Sequence, residues 1–421
     1  MKVLKGDILY PVSMQTLAEH KGGYIVLSES GEILFVGDKL EEKYKDLPVT
    51  DYGHNLIIPS FVDMHLHAPQ YPMLGMGMDM ELIDWLSAYV YKTEARFADA
   101  EYARRIYRKL ADELISWGTT RVVMFSSLHT EATWILMEEL EKAGVTGYVG
   151  KVNMDRNVSP LLQETTEESM RETLRWLDGC KRFKYIQPII TPRFTPSCTD
   201  ELMAFLGNLA KERNLRVQSH LSENMGEVEW VKELHPDCKY YWETYDKFGL
   251  WKPHTVMAHC VHSDKEERRA MREAGVVMAH CADSNINHSS GIAPVRAMMD
   301  EGAWVTFGSD IAGGAHIAMP NVIAMSIRAS KLRAMVDEKQ PRYLSVAEAY
   351  YLGSAAGAQY FDPRPVFSVG TKLHAVVVDE SNFTEPAREI SMVERFERAI
   401  YRMTAQDLSA VWSEGRLVRS K

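Results

Sequence analysis

Two histidines stand two positions apart at the end of an apolar run, in the segment FVDMHLHAPQ. Successive side chains of a strand point to opposite faces, so His65 and His67 would project from the same face. Two imidazoles placed in this way can chelate a metal ion, because neutral imidazole nitrogen is a good ligand for Zn2+ and related ions. The pattern alone is weak, since two structural histidines with ordinary hydrogen bonds would show the same spacing.

Three further apolar runs end in residues of the same kind. His220 closes RVQSH, His259 closes TVMAH and Asp310 closes VTFGSD. Three imidazoles and one carboxylate suit Zn2+ with one position left open for water, and they also suit Fe2+ or Mn2+. The repetition makes a shared site a better interpretation than separate structural roles.

A carboxyl group follows one of these histidines closely, in the segment HLSE. Glu223 lies three residues beyond His220, where the chain should be leaving its strand, so it would sit beside a metal without binding it. That position suits a proton shuttle. The alternative is a solvated acid at the start of the helix that SENMGEVEWVKEL predicts, where the helix dipole favours a negative charge.

The elements that would position these residues are eight β-rich apolar runs separated by segments of helical length. Amphipathic helices are predicted in EYARRIYRKLADELISWG, ELMAFLGNLAKERN and DKEERRAMREAG, the last two ending in Asn or Gly. Eight strands, each followed by a helix, predict an α/β fold of the (β/α)8 TIM barrel type, in which strand C-termini meet at the active-site face. A doubly wound open sheet is the alternative, disfavoured because no GxGxxG turn follows any strand. The runs are 56–67 and those that begin at Thr119, Val145, Tyr185, Arg216, Thr255, Gly275 and Trp304.

Both ends of the chain differ from this middle. They alternate apolar and polar residues in short runs with Gly and Ser turns, as in GYIVLSESGEILFVGD and AVWSEGRLVRS, which is typical of antiparallel strands. We therefore predict a small β-sandwich domain formed by both termini, residues 1–60 with 366–421, and a barrel domain over 61–365.

Composition limits the partners and the compartment. The 421 residues carry 48 Lys+Arg against 58 Asp+Glu, a net charge of −10, so a nucleic acid polymer or an anionic membrane is not an expected partner. The five cysteines form no CxxC pair, and neither a signal peptide nor an apolar stretch of membrane-spanning length is apparent. A cytoplasmic protein with reduced thiols is expected.

Together, PSFVDMHLHAPQY, TPRFTPSC, QSHLSEN, MAHC and GSDIAGG resemble the amidohydrolase superfamily and, within it, the guanine deaminase family. The HxH, the HxxE, the later His and the GSD aspartate are shared by many deaminases of the superfamily, whereas HAPQY and PRF are closer to guanine deaminases. The resemblance implies one zinc ion per chain, with Fe2+ as an alternative, and a homodimer. The implied metal ligands are His65, His67, His220 and Asp310.

The resemblance also implies a reaction, the hydrolysis of guanine to xanthine and ammonia. Its catalytic residues would be Glu223, Asp310 and His259. Asp310 would take a proton from the attacking water, Glu223 would protonate the ring nitrogen N3 and help the amine to leave, and His259 would hold the attacking oxygen.

Substrate recognition is the third implication. Gln70 offers both a donor and an acceptor to the edge of a base, and Arg193 offers a planar fork to O6 and N7, with Phe194 beside the ring. The Met- and aromatic-rich segment 71–91 would be a lid over the base or, alternatively, core or dimer interface. The full substrate-binding set is His67, Gln70, Arg193, Phe194, His220, Glu223 and Asp310.

Local departures from the family pattern keep alternatives open. Ser60 replaces a glycine, and residues 282–288 differ from the family pattern after the seventh strand, so another aminopurine, a pterin or a triazine is an alternative substrate. Lys151 raises the possibility of a carbamylated bridge between two metals, as in cyclic-amide hydrolases. His280 is ambiguous, and His262, His288 and His316 are expected to be structural or to support the site from outside.

Overall fold

The computed structural model of the chain describes residues 1–337 and 341–421. Its strands are β1 (Lys2–Pro11), β2 (Leu17–Leu27), β3 (Ile33–Gly37), β4 (Val49–Pro59), β5 (Phe61–His67), β6 (Thr119–Phe125), β7 (Thr146–Gly150), β8 (Val152–Asn153), β9 (Ile186–Pro192), β10 (Arg216–Leu221), β11 (Val256–His259), β12 (Val277–His280), β13 (Trp304–Phe307), β14 (Ala375–Val378), β15 (Leu408–Ser413) and β16 (Arg416–Ser420). Its α-helices are α1 (Leu82–Trp85), α2 (Tyr91–Ala95), α3 (Ala100–Ser116), α4 (Thr130–Ala143), α5 (Thr166–Cys180), α6 (Asp200–Glu212), α7 (Met225–Leu234), α8 (Glu243–Asp246), α9 (Lys265–Ala274), α10 (Ala282–Asn287), α11 (Val295–Asp300), α12 (Met319–Val336), α13 (Val346–Tyr351) and α14 (Met392–Arg402).

The middle of the chain forms the predicted barrel. Strands β5, β6, β7, β9, β10, β11, β12 and β13 lie side by side in chain order, with short β8 paired to β9. Their ladders are parallel, as in the pairs β6–β7 and β12–β13. A doubly wound sheet would reverse its strand order at a switch point, and this sheet does not, so the (β/α)8 prediction is confirmed.

Backbone hydrogen bonds join the last barrel strand to the first. The Asp310 amide donates to the His65 carbonyl at 2.8 Å, and the His67 amide donates to the Ile311 carbonyl at 3.0 Å. The buried Asp63 carboxylate adds to this seam by accepting from the Ser309 amide at 2.9 Å. Closure of the barrel thus places Asp310 directly beside the HxH pair.

Helices cover the outside of the barrel through their apolar faces. In α3 the core side includes Tyr107, Leu110 and Leu114, and the helix begins where the Asp99 side chain accepts hydrogen bonds from two backbone amides of its first turn. The helix α9 ends at Gly275, whose φ of 69° lies in the left-handed region, as its sequence predicted. Among the described residues, no helix combines the length and apolarity that crossing a membrane would require.

The two ends of the chain meet in one seven-stranded sheet of order β16-β15-β14-β4-β1-β2-β3. Leu4, Ile25, Ile57, Val377 and Trp412 share one apolar core, so strands from both termini pack together as predicted. The strands of both termini form one continuous hydrogen-bonded sheet, because β4 and β14 pair directly where the two ends of the chain join.

One strand pair of this sheet corrects the prediction. The expectation was antiparallel strands throughout, yet β1 and β4 are parallel. The reason is the connection: after β1, β2 and β3 form an antiparallel meander, the chain crosses back to the free side of β1 and enters β4 in the same direction. The domain bounds 1–60 with 366–421 and 61–365 stay a prediction.

Candidate active site

The polar residues predicted at strand ends meet at the C-terminal end of the barrel. His65 and His67 lie on β5, His220 lies on β10, and His259 is the last residue of β11, while Asp310 follows β13. All five are buried, with exposed fractions of at most 8%. The structure thus brings together residues that are far apart in the sequence.

Two overlapping triads of this cluster have ligand atoms within 4.8 Å of one another: His65 with His67 and Asp310, and His65 with His220 and His259. His65 Nε2 is 3.2 Å from Asp310 Oδ1, His67 Nε2 is 3.5 Å from the same oxygen, and the Nε2 atoms of His67 and His220 are 3.1 Å apart. Ligands about 2.1 Å from a tetrahedral ion would be about 3.4 Å apart. Within the described residues, buried His65 Nε2 has no hydrogen-bond partner, so the residues present fit a divalent cation.

The orientation of His220 supports the same reading. Its Nδ1 donates to the backbone carbonyl of Arg193, and its ring stacks on that of His67 with an interplanar angle of 8°. Metal-binding histidines usually donate their second nitrogen to such an acceptor, which fixes the ring and leaves the other nitrogen with a free lone pair. The Nε2 lone pair of His220 is therefore available to an ion bound at this cluster.

Burial sets the protonation states that metal binding needs. It lowers the pKa of the His65 imidazole and holds the pKa values of His67 and His220 well below the ordinary value. Burial alone would raise the pKa of Asp310, but the close contact with the His65 imidazole and its charge, followed by the charges of His259 and His67, hold that pKa well below its usual range. Neutral imidazoles beside an ionised carboxylate are the ligand forms that bind a cation.

His259 faces the cluster from the side. Its Nε2 lies 3.4 Å from Glu223 Oε2 and 3.8 Å from Asp310 Oδ2, and its Nδ1 is hydrogen-bonded to the side-chain amide of Asn285 at 2.9 Å. The backbone φ is +73° at His259 and +48° at Asp310. Left-handed conformations are costly for residues other than glycine and occur at sites where a side chain must be aimed.

Glu223 is buried beside His259 and does not cap the helix that follows. The cap of α7 is Asn224, which forms a capping box with Glu227, so the alternative of a solvated helix-start acid is excluded. Burial first, and then the negative charge of Asp310, raise the pKa of Glu223 well above the ordinary value. The raised pKa favours the protonated carboxyl group, which is the form that can donate a proton.

A second carboxylate, which the sequence reasoning missed, holds this turn in place. Glu227 Oε2 accepts from the amides of Glu223 at 3.0 Å and Asn224 at 3.3 Å, and its other oxygen accepts from the Tyr241 hydroxyl at 2.6 Å. Burial raises the pKa of Glu227 to about 7. The spacing NMGE is a capping-box signal that could have identified it.

Gln70 and Arg193 are joined by another residue that was not predicted, Glu94. Arg193 Nη1 donates to both oxygens of the fully buried Glu94 carboxylate, at 2.9 and 3.1 Å, and Gln70 Nε2 donates to one of them at 2.9 Å. Gln70 Oε1 accepts from the Ala312 amide at 3.2 Å. Both predicted recognition residues line the same cavity as the cluster. Within the described residues, the side-chain hydrogen bonds of Arg193 use Nη1 alone.

The Met- and aromatic-rich segment 71–91 forms one wall of that cavity. Trp85 is buried, and its ring lies 4.3 Å from that of His288, centroid to centroid. Phe194 lines the cavity as predicted. His288 does so as well, together with Ser284, so the departures in 282–288 fall on the cavity wall. Within the described part of the chain, buried Ser284 Oγ and His288 Nε2 have no hydrogen-bond partner.

Other candidates from the sequence lie outside the cluster. His280 packs on Phe307 and lines a separate cavity, and burial lowers its pKa to about 3. His262 Nε2 donates to the Ser290 carbonyl at 2.8 Å. Lys151 forms a buried ion pair with Glu164 at 2.8 Å, so its amine is already occupied and does not support a bridge between two metals.

Comparisons with known proteins agree with this geometry. The sequence pattern of the Amidohydrolase family matches residues 56–393. Guanine deaminase from Dictyostelium discoideum is 34% identical over 100% of this chain and 98% of its own, and guanine deaminase from Rattus norvegicus is 35% identical over 87% and 83%. A crystal structure of guanine deaminase from C. acetobutylicum, with guanine bound in the active site, superimposes with a TM-score of 0.96 at 39% identity over 99% of each chain.

Proposed function

The chain belongs to the amidohydrolase family, and within that family we propose that it is a guanine deaminase, a hydrolase that converts guanine and water into xanthine and ammonia. The observation that carries the proposal is one cavity in which a base-recognition pair, Arg193 and Gln70, faces a buried acid, Glu223, and a cluster of metal ligands. Similarity to guanine deaminases over nearly the whole chain supports the same substrate.

The cofactor proposed is one Zn2+ per chain, with Fe2+ as the alternative. His65, His67, His220 and Asp310 would hold it, since nitrogen and carboxylate ligands in this spacing suit either ion. The bound ion would supply Lewis acidity, which lowers the pKa of water toward neutrality. Metal analysis of the purified protein tests the stoichiometry: one equivalent is expected, and two would favour the binuclear alternative.

The chain's own residues account for the proton transfers. Asp310 accepts a proton from the attacking water as its oxygen bonds to C2 of guanine, and Glu223 gives its proton to N3. The proton on Asp310 then passes to the amino nitrogen, and the C2–N bond breaks to release ammonia. Glu223 regains a proton from the remaining hydroxyl, which becomes the C2 carbonyl of xanthine. His259 holds the attacking oxygen between the two carboxyl groups.

Residues on the opposite wall of the cavity would recognise the base. The free donors of Arg193 match the O6 and N7 acceptors of guanine, a pairing that arginine also makes with guanine in DNA. Glu94 holds the guanidinium in one orientation, because both of its carboxylate oxygens accept from the same nitrogen, Nη1. The ring of Phe194 and the side chains around Trp85 exclude water from the reacting atoms.

Incubation of the zinc-loaded protein with guanine, followed by measurement of xanthine and ammonia, tests the proposal. Equal amounts of both products are expected. Adenine, a pterin and an aminotriazine belong in the same panel, because Ser284 and His288 change the cavity wall. If the protein deaminates one of these compounds and not guanine, the alternative substrate is correct. If it deaminates none of the four compounds, the proposed deaminase function is wrong.

The homodimer and the cytoplasmic compartment are part of the same proposal. All five cysteines are free thiols and four of them are buried, which is compatible with a reducing compartment. Sedimentation velocity at several concentrations would measure the oligomeric state directly, with a single species of twice the chain mass expected.

A further inference from the structure

A second cavity lies at the N-terminal end of the barrel, away from the candidate active site. It has a volume of about 370 Å3 and is bounded by barrel residues such as Arg121 and Tyr148, by Phe361, and by His374 and Glu414 of the terminal β-sheet region. A volume of this size falls within the range of small-molecule sites. No residue lining it also lines the active-site cavity.

Arg121 is a buried cation of this cavity that interacts with the charges of Glu414 and Asp362 but forms neither a hydrogen bond nor a close ion pair within the described residues. It is the third residue of β6 and is only 7% exposed. Among residues 1–337 and 341–421, no hydrogen bond or ion pair of its guanidinium is found, and its Nε is buried and unsatisfied. Buried charges are normally paired, so an unpaired one needs an explanation.

Arg216, in the same region of the barrel, shows what a satisfied arginine looks like there. It donates to the carbonyl of Tyr360 and lies over the rings of Tyr148 and Tyr360, at 4.7 and 4.1 Å from their centroids. Arg121 lies over the ring of Phe361 at 5.9 Å and interacts with the charges of Glu414 and Asp362 without a hydrogen bond to either. Arg121 is thus the more deeply buried of the two arginines, and it lacks the hydrogen bond that Arg216 makes.

The charges around the cavity favour an anion. Its lining has four cationic side chains against two carboxylates, namely Arg121, Lys184, Arg364 and Lys372 against Asp362 and Glu414. Several of these groups are already engaged: Asp362 pairs with Arg364 at 2.6 Å, Lys372 pairs with Glu32 at 3.4 Å, and Glu414 accepts from His374 Nε2 at 3.0 Å. Within the described residues, this leaves Arg121 and Lys184 as the cations of the lining that form no ion pair. Burial lowers the pKa of Arg121 to about 10, so the guanidinium keeps its charge at neutral pH.

We propose that this cavity binds a small organic anion, whose phosphate or carboxylate group pairs with Arg121 and whose flat apolar part packs against Tyr148 and Phe361. A guanidinium presents parallel N–H groups that match the oxygens of either group. The ligand would supply the partner that the protein lacks. This site goes beyond the proposed deaminase activity, because it uses none of the residues assigned to that reaction.

Isothermal titration of the full-length protein with inorganic phosphate and, separately, with benzoate tests the proposal. Saturable binding of one equivalent per chain is expected for at least one of them, and the anion that binds identifies the group. Arg121→Gln is expected to weaken binding at least about tenfold, the loss of a charge-assisted hydrogen bond. Arg269→Gln removes the same charge from an exposed position on α9 and is expected to change binding less than about twofold.

Absence of saturable binding by either anion would overturn the proposal, and so would equal binding by the Arg121→Gln variant. If that variant does not fold, crystals of the unchanged protein soaked with selenate or 4-bromobenzoate provide the second measurement. Anomalous density beside Arg121 is expected. Density only at the active site, or water alone bridging Arg121 to Glu414, would overturn the proposal as well.

Discussion

The two ends of the barrel carry buried charge of opposite kinds. At the C-terminal end, the Nε2 atoms of His65, His67 and His220 cluster with the ionised Asp310 carboxylate, an arrangement of electron-pair donors that attracts a cation. At the N-terminal end, Arg121 is a cation beside a cavity and attracts an anion. An apolar layer that includes Val123 separates the two ends. One barrel can therefore carry two sites whose chemistry is independent.

The largest expected effect is at the C-terminal end. Asp310→Asn removes the anionic member of the proposed ligand set, which is also the proposed acceptor of the proton of water. We expect kcat for guanine to fall roughly 10^4-fold and the protein to lose bound metal. Steady-state assays and metal analysis measure both, with Asp178→Asn, an exposed carboxylate of α5, as the control. Full activity of Asp310→Asn would remove the contrast between the ends.

Glu223→Gln is the next effect in size. The amide cannot give a proton to N3, so we expect a fall in kcat of about 10^3-fold with little change in KM. Glu229→Gln, which changes an exposed acid on α7, is the control and is expected to leave both constants unchanged. Retained turnover in Glu223→Gln would show that the proton comes from another group.

Glu94→Gln addresses recognition at the same end. The substitution removes the ion pair and one of the two oxygens that accept from Arg193, so the guanidinium is held less firmly and we expect KM to rise about tenfold and kcat to change less. An acid that only supports the fold would lower the amount of active enzyme without raising KM. Glu101→Gln, on the exposed face of α3, is the matched control.

Arg121→Met tests whether the buried charge at the N-terminal end of the barrel is unpaired. Replacing an unpaired buried charge by an apolar side chain of similar length should raise Tm by about 2 °C in the absence of added anions. Arg216→Met, which removes a hydrogen-bonded arginine, should lower Tm instead. Turnover of guanine should be unchanged in Arg121→Met. An equal decrease of Tm in both variants would contradict the claim that Arg121 is unpaired.

The smallest effect is a pH dependence at this end. Burial first, and then the charge of Arg121, lower the pKa of His374 to about 4, so the folded protein holds His374 neutral. The unfolded chain binds a proton near pH 6.5, so this contribution to stability is present above that pH and is lost as the pH falls toward 4. Melting curves at pH 7.5 and pH 5 should show a drop in Tm that is about 1–2 °C smaller in His374→Gln. An identical drop in both proteins would contradict the assignment.

Much of the fold and site follows from local sequence patterns. Apolar runs that end in His65, His67, His220, His259 or Asp310 are local signals, and parallel strands bring such ends to one face. The hydrogen bonds that close the barrel between Asp310 and His65 and between His67 and Ile311 depend on strand register, and a pattern of apolar and polar residues does not specify that register.

The residues that support the site were missed for a related reason. Glu94 and Asn285 act through partners far along the chain, Arg193 and His259, and nothing in their neighbouring residues indicates this. Arg121 was missed as well, although a charged residue inside the apolar run TTRVVMF is itself a signal that something beside the strand must accept it.

Barrel closure also determines when the site can form during synthesis of the chain. Asp63 and Ser309, which meet at the seam, are 246 positions apart. At ribosomal speeds of about 5–20 residues per second, the HxH strand emerges roughly 12 to 50 s before the strand that completes it. A truncated or stalled chain therefore holds the histidines of β5 without the carboxylate opposite them. The complete ligand set exists only in chains that have been made past β13.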